Sequence, residues 1–98
     1  MVIDAGGSMN CAMLGDKRAA DAINNEWEGI IVHGLVRDSV AIDGMEIGIR
    51  ALGVCPLKSI KNGVGDSNLI VNFSGVTFIP GEYLYADEDG VIVVKEKL

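Results

Sequence analysis

The spacing of apolar residues divides this chain into two stretches with different grammar. In the first, short apolar runs alternate with turn and helix signals. Val2 to Asp4 reads as a short buried strand, and Ala5-Gly6-Gly7-Ser8 as a turn that glycine makes cheaply before the chain enters a loop. Past Gly15, Ala19, Ala22 and Ile23 fall at helical spacing, with Asp16 near the start and Asn24-Asn25 at the end. This predicts a helix over residues 16–25. Gly29-Ile30-Ile31-Val32-His33-Gly34 is a continuous β-branched run bounded by glycine, the pattern of a strand covered on both faces. Strand, helix and strand make a parallel βαβ unit. Arg37 to Ile42 is expected to form a short helical turn before Asp43-Gly44, and Ile47 to Val54 a further strand ended by Pro56.

From Leu69 the pattern changes. Leu69 to Phe73, Val76 to Ile79, Tyr83 to Ala86 and Val91 to Lys95 read as strands separated by Ser74-Gly75, Pro80-Gly81 and Asp87-Glu88-Asp89-Gly90, an antiparallel meander. Lys58 to Ser67, with Gly63 and Gly65, reads as an irregular surface loop. The expectation is one α/β domain over residues 1–98, a parallel βαβ unit followed by an antiparallel meander.

Composition sharpens this picture. A chain of 98 residues buries about two thirds of the surface its unfolded form exposes, so its core is modest and a second packing surface would help it. Hydrophobic residues make up 49% and aromatics 5%, so that core is built from Val, Ile, Leu, Ala and Met. Trp27 is expected to cover the helix-to-strand corner. The balance of 14 acidic against 8 basic residues, a net charge of -6, opposes nucleic acid or an anionic membrane as a general partner. Cys11 and Cys55 match no zinc or redox spacing and read as small apolar thiols of a reducing, cytoplasmic protein. No apolar run approaches the roughly 20 residues that span a bilayer.

Candidate chemistry gathers where loops leave strands for helices, the usual ligand position in an open α/β sheet. Leu14-Gly15-Asp16-Lys17-Arg18 opens the predicted helix, whose unpaired amides and dipole favour an anion such as a carboxylate. Gly34-Leu35-Val36-Arg37-Asp38 follows the buried strand and is expected to face the same cleft. Arg37 offers a fixed fork of donors for a carboxylate or an enolate oxygen, and Asp38 can ligate a hard cation such as Mg2+. The same residues also fit a plainer role, with Arg37 and Asp38 opening a short helix that Asp38 caps and Asp16 supplying N-terminal helix charge. Spacing does not choose between the two.

Other motifs point away from chemistry. His33 ends an apolar strand and reads as a packed or hydrogen-bonded imidazole, outside the site. Asp87-Glu88-Asp89 has the form of a solvated hairpin turn. Lys17, Arg18, Lys58 and Lys61 form a sparse, solvated positive set. Gly6-Gly7 lacks the GxGxxG spacing, and no GxxxxGK(S/T) run occurs, so nucleotide binding is unsupported.

Taken in order, Val2-Ile3-Asp4-Ala5-Gly6-Gly7-Ser8, Leu14-Gly15-Asp16 and the run from Trp27 to Asp38 resemble the RraA-like family, named for the regulator of ribonuclease E activity A. That family also holds 4-hydroxy-4-methyl-2-oxoglutarate aldolases. The likeness continues through Ile47-Gly48-Ile49, Pro56, Gly63-Val64-Gly65, Val71 to Phe78 and Pro80 to Val91. It implies a swivelling β/β/α domain assembled as trimers or pairs of trimers, with clefts between subunits. It also implies one of two functions. The first is a divalent-metal-dependent aldolase that releases pyruvate from 4-hydroxy-2-oxo acids and decarboxylates oxaloacetate. The second is a noncatalytic regulator that binds a ribonuclease E-type enzyme. Gly15-Asp16 and Asp38 resemble the aldolase pattern, with amides of Gly15, Asp16, Lys17 and Arg18 holding the substrate carboxylate, Arg37 binding substrate and stabilising the enolate, Asp38 ligating Mg2+ or Mn2+, and Asp16 acting through metal-bound water. Arg18 departs from the apolar residue usual there. Family chains carry an N-terminal region before the segment matching Met1 to Gly7, which this chain is expected to lack.

Overall fold

The structure is a computed structural model that describes residues 1–60 and 63–98. Two compact units form, Met1–Asn62 and Gly63–Leu98. The architecture is mixed α/β, with parallel sheets in the first unit and antiparallel hairpins in the second.

In the first unit the chain passes three times through a pair of parallel sheets. The strands β1 (Val2–Asp4) and β2 (Ala12–Leu14) precede helix α1 (Asp16–Asn24). Strands β3 (Gly29–His33) and β4 (Leu35–Val36) precede helix α2 (Ser39–Asp43). Strands β5 (Gly48–Arg50) and β6 (Gly53–Val54) complete the set. One sheet has the order β1-β3-β5 and the other β2-β4-β6, all neighbours parallel. Each pass therefore runs first in one sheet and then in the other.

This alternation corrects three sequence expectations. Ala12–Leu14 is a strand and not loop, because its amide ladder is completed by β4, and Ala12 N-H also donates to Leu57 O at 2.7 Å. Ile47 to Val54 is not one strand: the chain steps between sheets at Ala51-Leu52, where Leu52 N-H donates to Gly34 O at 2.9 Å. The helical turn begins at Ser39, two residues later than expected, since Arg37 N-H is engaged by Leu14 O at 2.9 Å and Asp38 is left-handed with φ 58°.

Helix α1 buries Ala19 and Ala22, whose small side chains let the helix approach the sheet closely. The core joins them to Leu14, Ile30, Val32, Val36 and Ile42, with Ile3, Met45, Ile47 and Ile49 packed at its edge. Ile30 and Val32 are the largest fully buried side chains among the described residues. Burying a branched aliphatic side chain contributes about 1.5–3 kcal/mol, so these two positions anchor the layer that carries the site. Gly34 makes the step from β3 to β4 possible: a Cβ there would lie 2.9 Å from the Ala5 Cβ. Trp27 remains 44% exposed, which leaves it a partial cover at most for the corner after α1.

The second unit consists of two hairpins: β7 (Val71–Phe73) with β8 (Val76–Phe78), and β9 (Tyr83–Ala86) with β10 (Val91–Val94). They are paired within themselves, so the expected meander takes the form of two separate two-stranded sheets. Ser74 and Gly75, at φ 52° and 74°, supply the two left-handed residues of a tight hairpin turn. Phe73 and Phe78 stack across that hairpin with centroids 4.7 Å apart. In the other turn, Asp87 Oδ1 accepts from Asp89 N-H and Gly90 N-H, at 2.8 and 3.2 Å, a closed turn of the kind the sequence suggested.

Candidate functional site

The two loops singled out in the sequence meet. Strands β2 and β4 are hydrogen-bonded neighbours, so the residues that leave their carboxyl ends, Gly15 after Leu14 and Arg37 after Val36, emerge side by side. Gly15 caps α1 in an extended conformation, φ -127° and ψ -171°, which any residue can adopt. What demands glycine is space. A Cβ at Gly15 would lie 2.8 Å from Arg37 Nε and 2.9 Å from Asp38 Oδ2.

Asp38 does not cap its own helix: α2 has no side-chain cap bond. Its Oδ2 instead accepts the Asp16 N-H at 3.1 Å, capping α1, and lies 3.8 Å from Arg37 Nε. The left-handed backbone of Asp38 turns the carboxylate back towards α1, a conformation that aspartate tolerates better than most residues. The plainer reading of Asp38 as a local cap is thereby replaced by a bridge between the two loops. Oδ1 of the same carboxylate has no hydrogen bond among the described residues. Side chains of Arg37 and Asp38 are each about a third exposed, at 32% and 35%, so both can meet a ligand.

Beside this bridge lies a cleft of about 560 Å³, lined by residues that include Gly15, Lys17, Arg18, Arg37, Lys58 and Ser59. Asp16 and Asp38 flank it without lining it. Of the predicted substrate residues, Arg18 turns its side chain to Asp21, 2.9 Å away on the next turn of α1. Its backbone amide, with that of Lys17, falls in the first helical turn, where no carbonyl inside the helix can accept it. Helix-start amides, the helix dipole and a guanidinium are groups of the kind that bind anions, and Lys17, Arg18 and Arg37 line the same cleft.

The donor set suits a hard divalent cation. No group of three His, Cys, Asp or Glu side chains gathers among the described residues, so a closed zinc-type cage is not built there. A single carboxylate with a free oxygen, beside the open cleft, matches an ion such as Mg2+ that keeps several waters and takes its remaining ligands from substrate.

Lys58 and Ser59 were not among the predicted site residues. They reach the cleft because β6 runs beside β4 and the segment after it is pinned to β2 by the Ala12 N-H to Leu57 O bond and a parallel bridge between Ala12 and Lys58. That pairing joins residues more than forty positions apart and leaves no local sequence signal. Lys61, grouped with it in the sequence, lies outside the described residues. His33 stands apart from the cleft-lining set: its Nδ1 is 3.1 Å from Asp4 Oδ1, which also accepts Gly6 N-H at 2.9 Å. Those hydrogen bonds, Gly6 first and His33 second, hold the Asp4 carboxyl below its ordinary value of 3.8.

The family model described as RraA-like, Aldolase/RraA, matches residues 1–93. The chain belongs to the RraA-like family. A relative from Dechloromonas aromatica is 59% identical over 93 residues, covering 95% of this chain and 57% of its own length. One from Aromatoleum aromaticum is 55% identical over 98 residues, covering 100% of this chain and 62% of its own. Both carry the provisional name 4-hydroxy-4-methyl-2-oxoglutarate aldolase. The chain thus spans about three fifths of the length of these relatives.

Two solved structures share the fold closely. One, described as an S-adenosylmethionine:2-dimethylmenaquinone methyltransferase from Geobacillus kaustophilus, superposes with a TM-score of 0.95 at 45% identity, covering 99% of this chain and 60% of that one. The other, the RNA-processing inhibitor RraA from Thermus thermophilis, gives 0.93 at 40% identity, covering 97% and 58%. No described helix is long and apolar enough to cross a membrane.

Proposed function

We propose that this RraA-like chain carries the site of a divalent-metal-dependent aldolase that cleaves 4-hydroxy-4-methyl-2-oxoglutarate or a related 4-hydroxy-2-oxo acid to pyruvate, and that the same site decarboxylates oxaloacetate. The observation that supports it most is the bridge at Gly15, where Arg37 Nε and Asp38 Oδ2 close within 3 Å of the position a Cβ would occupy. The names of the relatives point the same way.

Each residue then has a task. The amides of Lys17 and Arg18, at the positive end of α1, hold the substrate carboxylate. Asp38 would hold Mg2+ or Mn2+ through its free Oδ1. When bound, that ion supplies Lewis-acid polarisation of the 2-oxo group. Arg37 donates to the keto oxygen and gains strength as negative charge accumulates there. In the cleavage direction the C4 hydroxyl loses its proton, the C3-C4 bond breaks, and its electron pair becomes the C2-C3 double bond of pyruvate enolate, which takes a proton at C3. Asp16, anchored beside Asp38, relays the hydroxyl proton through water. Loss of carbon dioxide from oxaloacetate yields the same enolate. Subunits would pair as trimers or pairs of trimers in the cytoplasm, each cleft completed by a neighbour.

The test couples pyruvate to lactate dehydrogenase and follows NADH. Mg2+-dependent pyruvate release from 4-hydroxy-4-methyl-2-oxoglutarate, abolished by EDTA, is the expected result; its absence with both substrates defeats the proposal. A second reading, a noncatalytic partner of a ribonuclease E-type enzyme, is favoured by the likeness to the RNA-processing inhibitor. Capture of such an enzyme by a protein with no turnover would select it.

A further inference from the structure

Lys58 lines the cleft together with the residues that open α1. Four cationic side chains, Lys17, Arg18, Arg37 and Lys58, line it against one acidic residue, Asp21, and Asp21 is already paired with Arg18 at 2.9 Å. Arg37 lies 3.8 Å from the Asp38 carboxylate, which leaves Lys17 and Lys58 as the two cations of the lining without an ion pair among the described residues, in a protein whose net charge is -6. A monocarboxylate would need only the helix amides and Arg37. Lys17 and Lys58 carry no hydrogen bond or ion pair among the described residues, so both ammonium groups are available to a ligand.

Lys58 is also held where it stands. The backbone before it is tied to Ala12 by a 2.7 Å hydrogen bond, and Lys58 itself bridges to Ala12 in β2, the strand that delivers Gly15. Its position is thus fixed relative to the proposed carboxylate site, while its four-carbon stem lets the ammonium adjust. A cleft of about 560 Å³ is large enough for a five- or six-carbon diacid.

We infer that Lys58 is a specificity-determining residue that binds the distal carboxylate of a dicarboxylic 2-oxo acid, selecting dianions over monoanions of equal length. This deepens the aldolase reading and rests on its placement of the substrate carboxylate, but the test requires no turnover. Binding of 2-oxoglutarate and of 2-oxopentanoate, diacid and monoacid of the same chain length, is measured by titration calorimetry in Mg2+ for the parent protein, Lys58→Gln and Lys58→Arg. The parent should prefer the diacid by about tenfold, the worth of one charge-assisted hydrogen bond in a partly open site. Lys58→Gln should lose that preference while holding the monoacid unchanged, and Lys58→Arg should keep most of it. Equal weakening of both ligands in Lys58→Gln, no weakening of either, or a parent protein that binds neither would each overturn the inference. Retained diacid preference in a protein without aldolase turnover would leave the inference standing and remove the catalytic reading alone.

Discussion

Replacing Gly15 by alanine separates the fold from the site. The backbone at Gly15 is extended, so alanine adds no conformational strain. Its Cβ, however, would meet Arg37 Nε at 2.8 Å, Asp38 Oδ2 at 2.9 Å and Arg37 Cγ at 3.3 Å. Reaching an ordinary separation near 3.5 Å moves the guanidinium and carboxylate by roughly 0.6–0.7 Å each. Such a shift lengthens the Asp16 N-H to Asp38 Oδ2 bond, now 3.1 Å. A charge-assisted bond can be worth about 1.5–3 kcal/mol, but with Asp38 a third exposed the loss in stability should be nearer 1 kcal/mol. Catalysis should suffer more, because misplacing reacting groups by about 1 Å can cost on the order of a hundredfold. Gly15→Ala is thus expected to melt within several degrees of the parent by circular dichroism while kcat/KM for pyruvate release falls about a hundredfold. Turnover within about twofold of the parent would refute the argument that Gly15, Arg37 and Asp38 form one site.

Two further outcomes follow from the packing and the charges. Gly34→Ala forces a methyl to within 2.9 Å of the Ala5 Cβ at the step between sheets. Urea unfolding should show a loss of about 1–3 kcal/mol, partly recovered when Ala5→Gly is added. Asp4 has its carboxyl held low by Gly6 N-H and His33, so its contribution to stability is present above pH 3.8 and is lost as pH falls through the lowered folded value. Asp4→Asn should therefore destabilise the protein at neutral pH and flatten its loss of stability in acid; identical acid limbs for the two proteins would contradict this.

Much of the framework was readable because local signals agreed with long-range pairing. The run from Gly29 to His33 needed no partner to look like a strand, although only Ile30 and Val32 are buried and Ile31 is half-buried where cover on both faces was expected. Helix α1 carried its period in Ala19, Ala22 and Ile23. The hairpin at Ser74-Gly75 was announced by its turn residues. The second sheet was not readable. Its strands Ala12–Leu14, Leu35–Val36 and Gly53–Val54 are two or three residues long and are defined by each other across the fold, so no periodicity marks them. The same physics hid Lys58, whose pairing with Ala12 brings a residue of an apparent surface loop into the cleft. Gly15, Arg37 and Asp38 were legible as candidate chemistry, yet only the crossing of Asp38 to the amide of Asp16 distinguishes a joint site from two ordinary helix starts.

Manganese binding followed by electron paramagnetic resonance tests most directly whether metal and 2-oxo acid meet at Asp38. Titration with Mn2+, alone and with oxalate as an unreactive mimic of pyruvate enolate, reads both ligands at once, and their coupling must be reciprocal. The parent protein should bind Mn2+, and oxalate should tighten it; Asp38→Asn should lose both effects. Mn2+ affinity and oxalate coupling unchanged in Asp38→Asn would contradict the site described above.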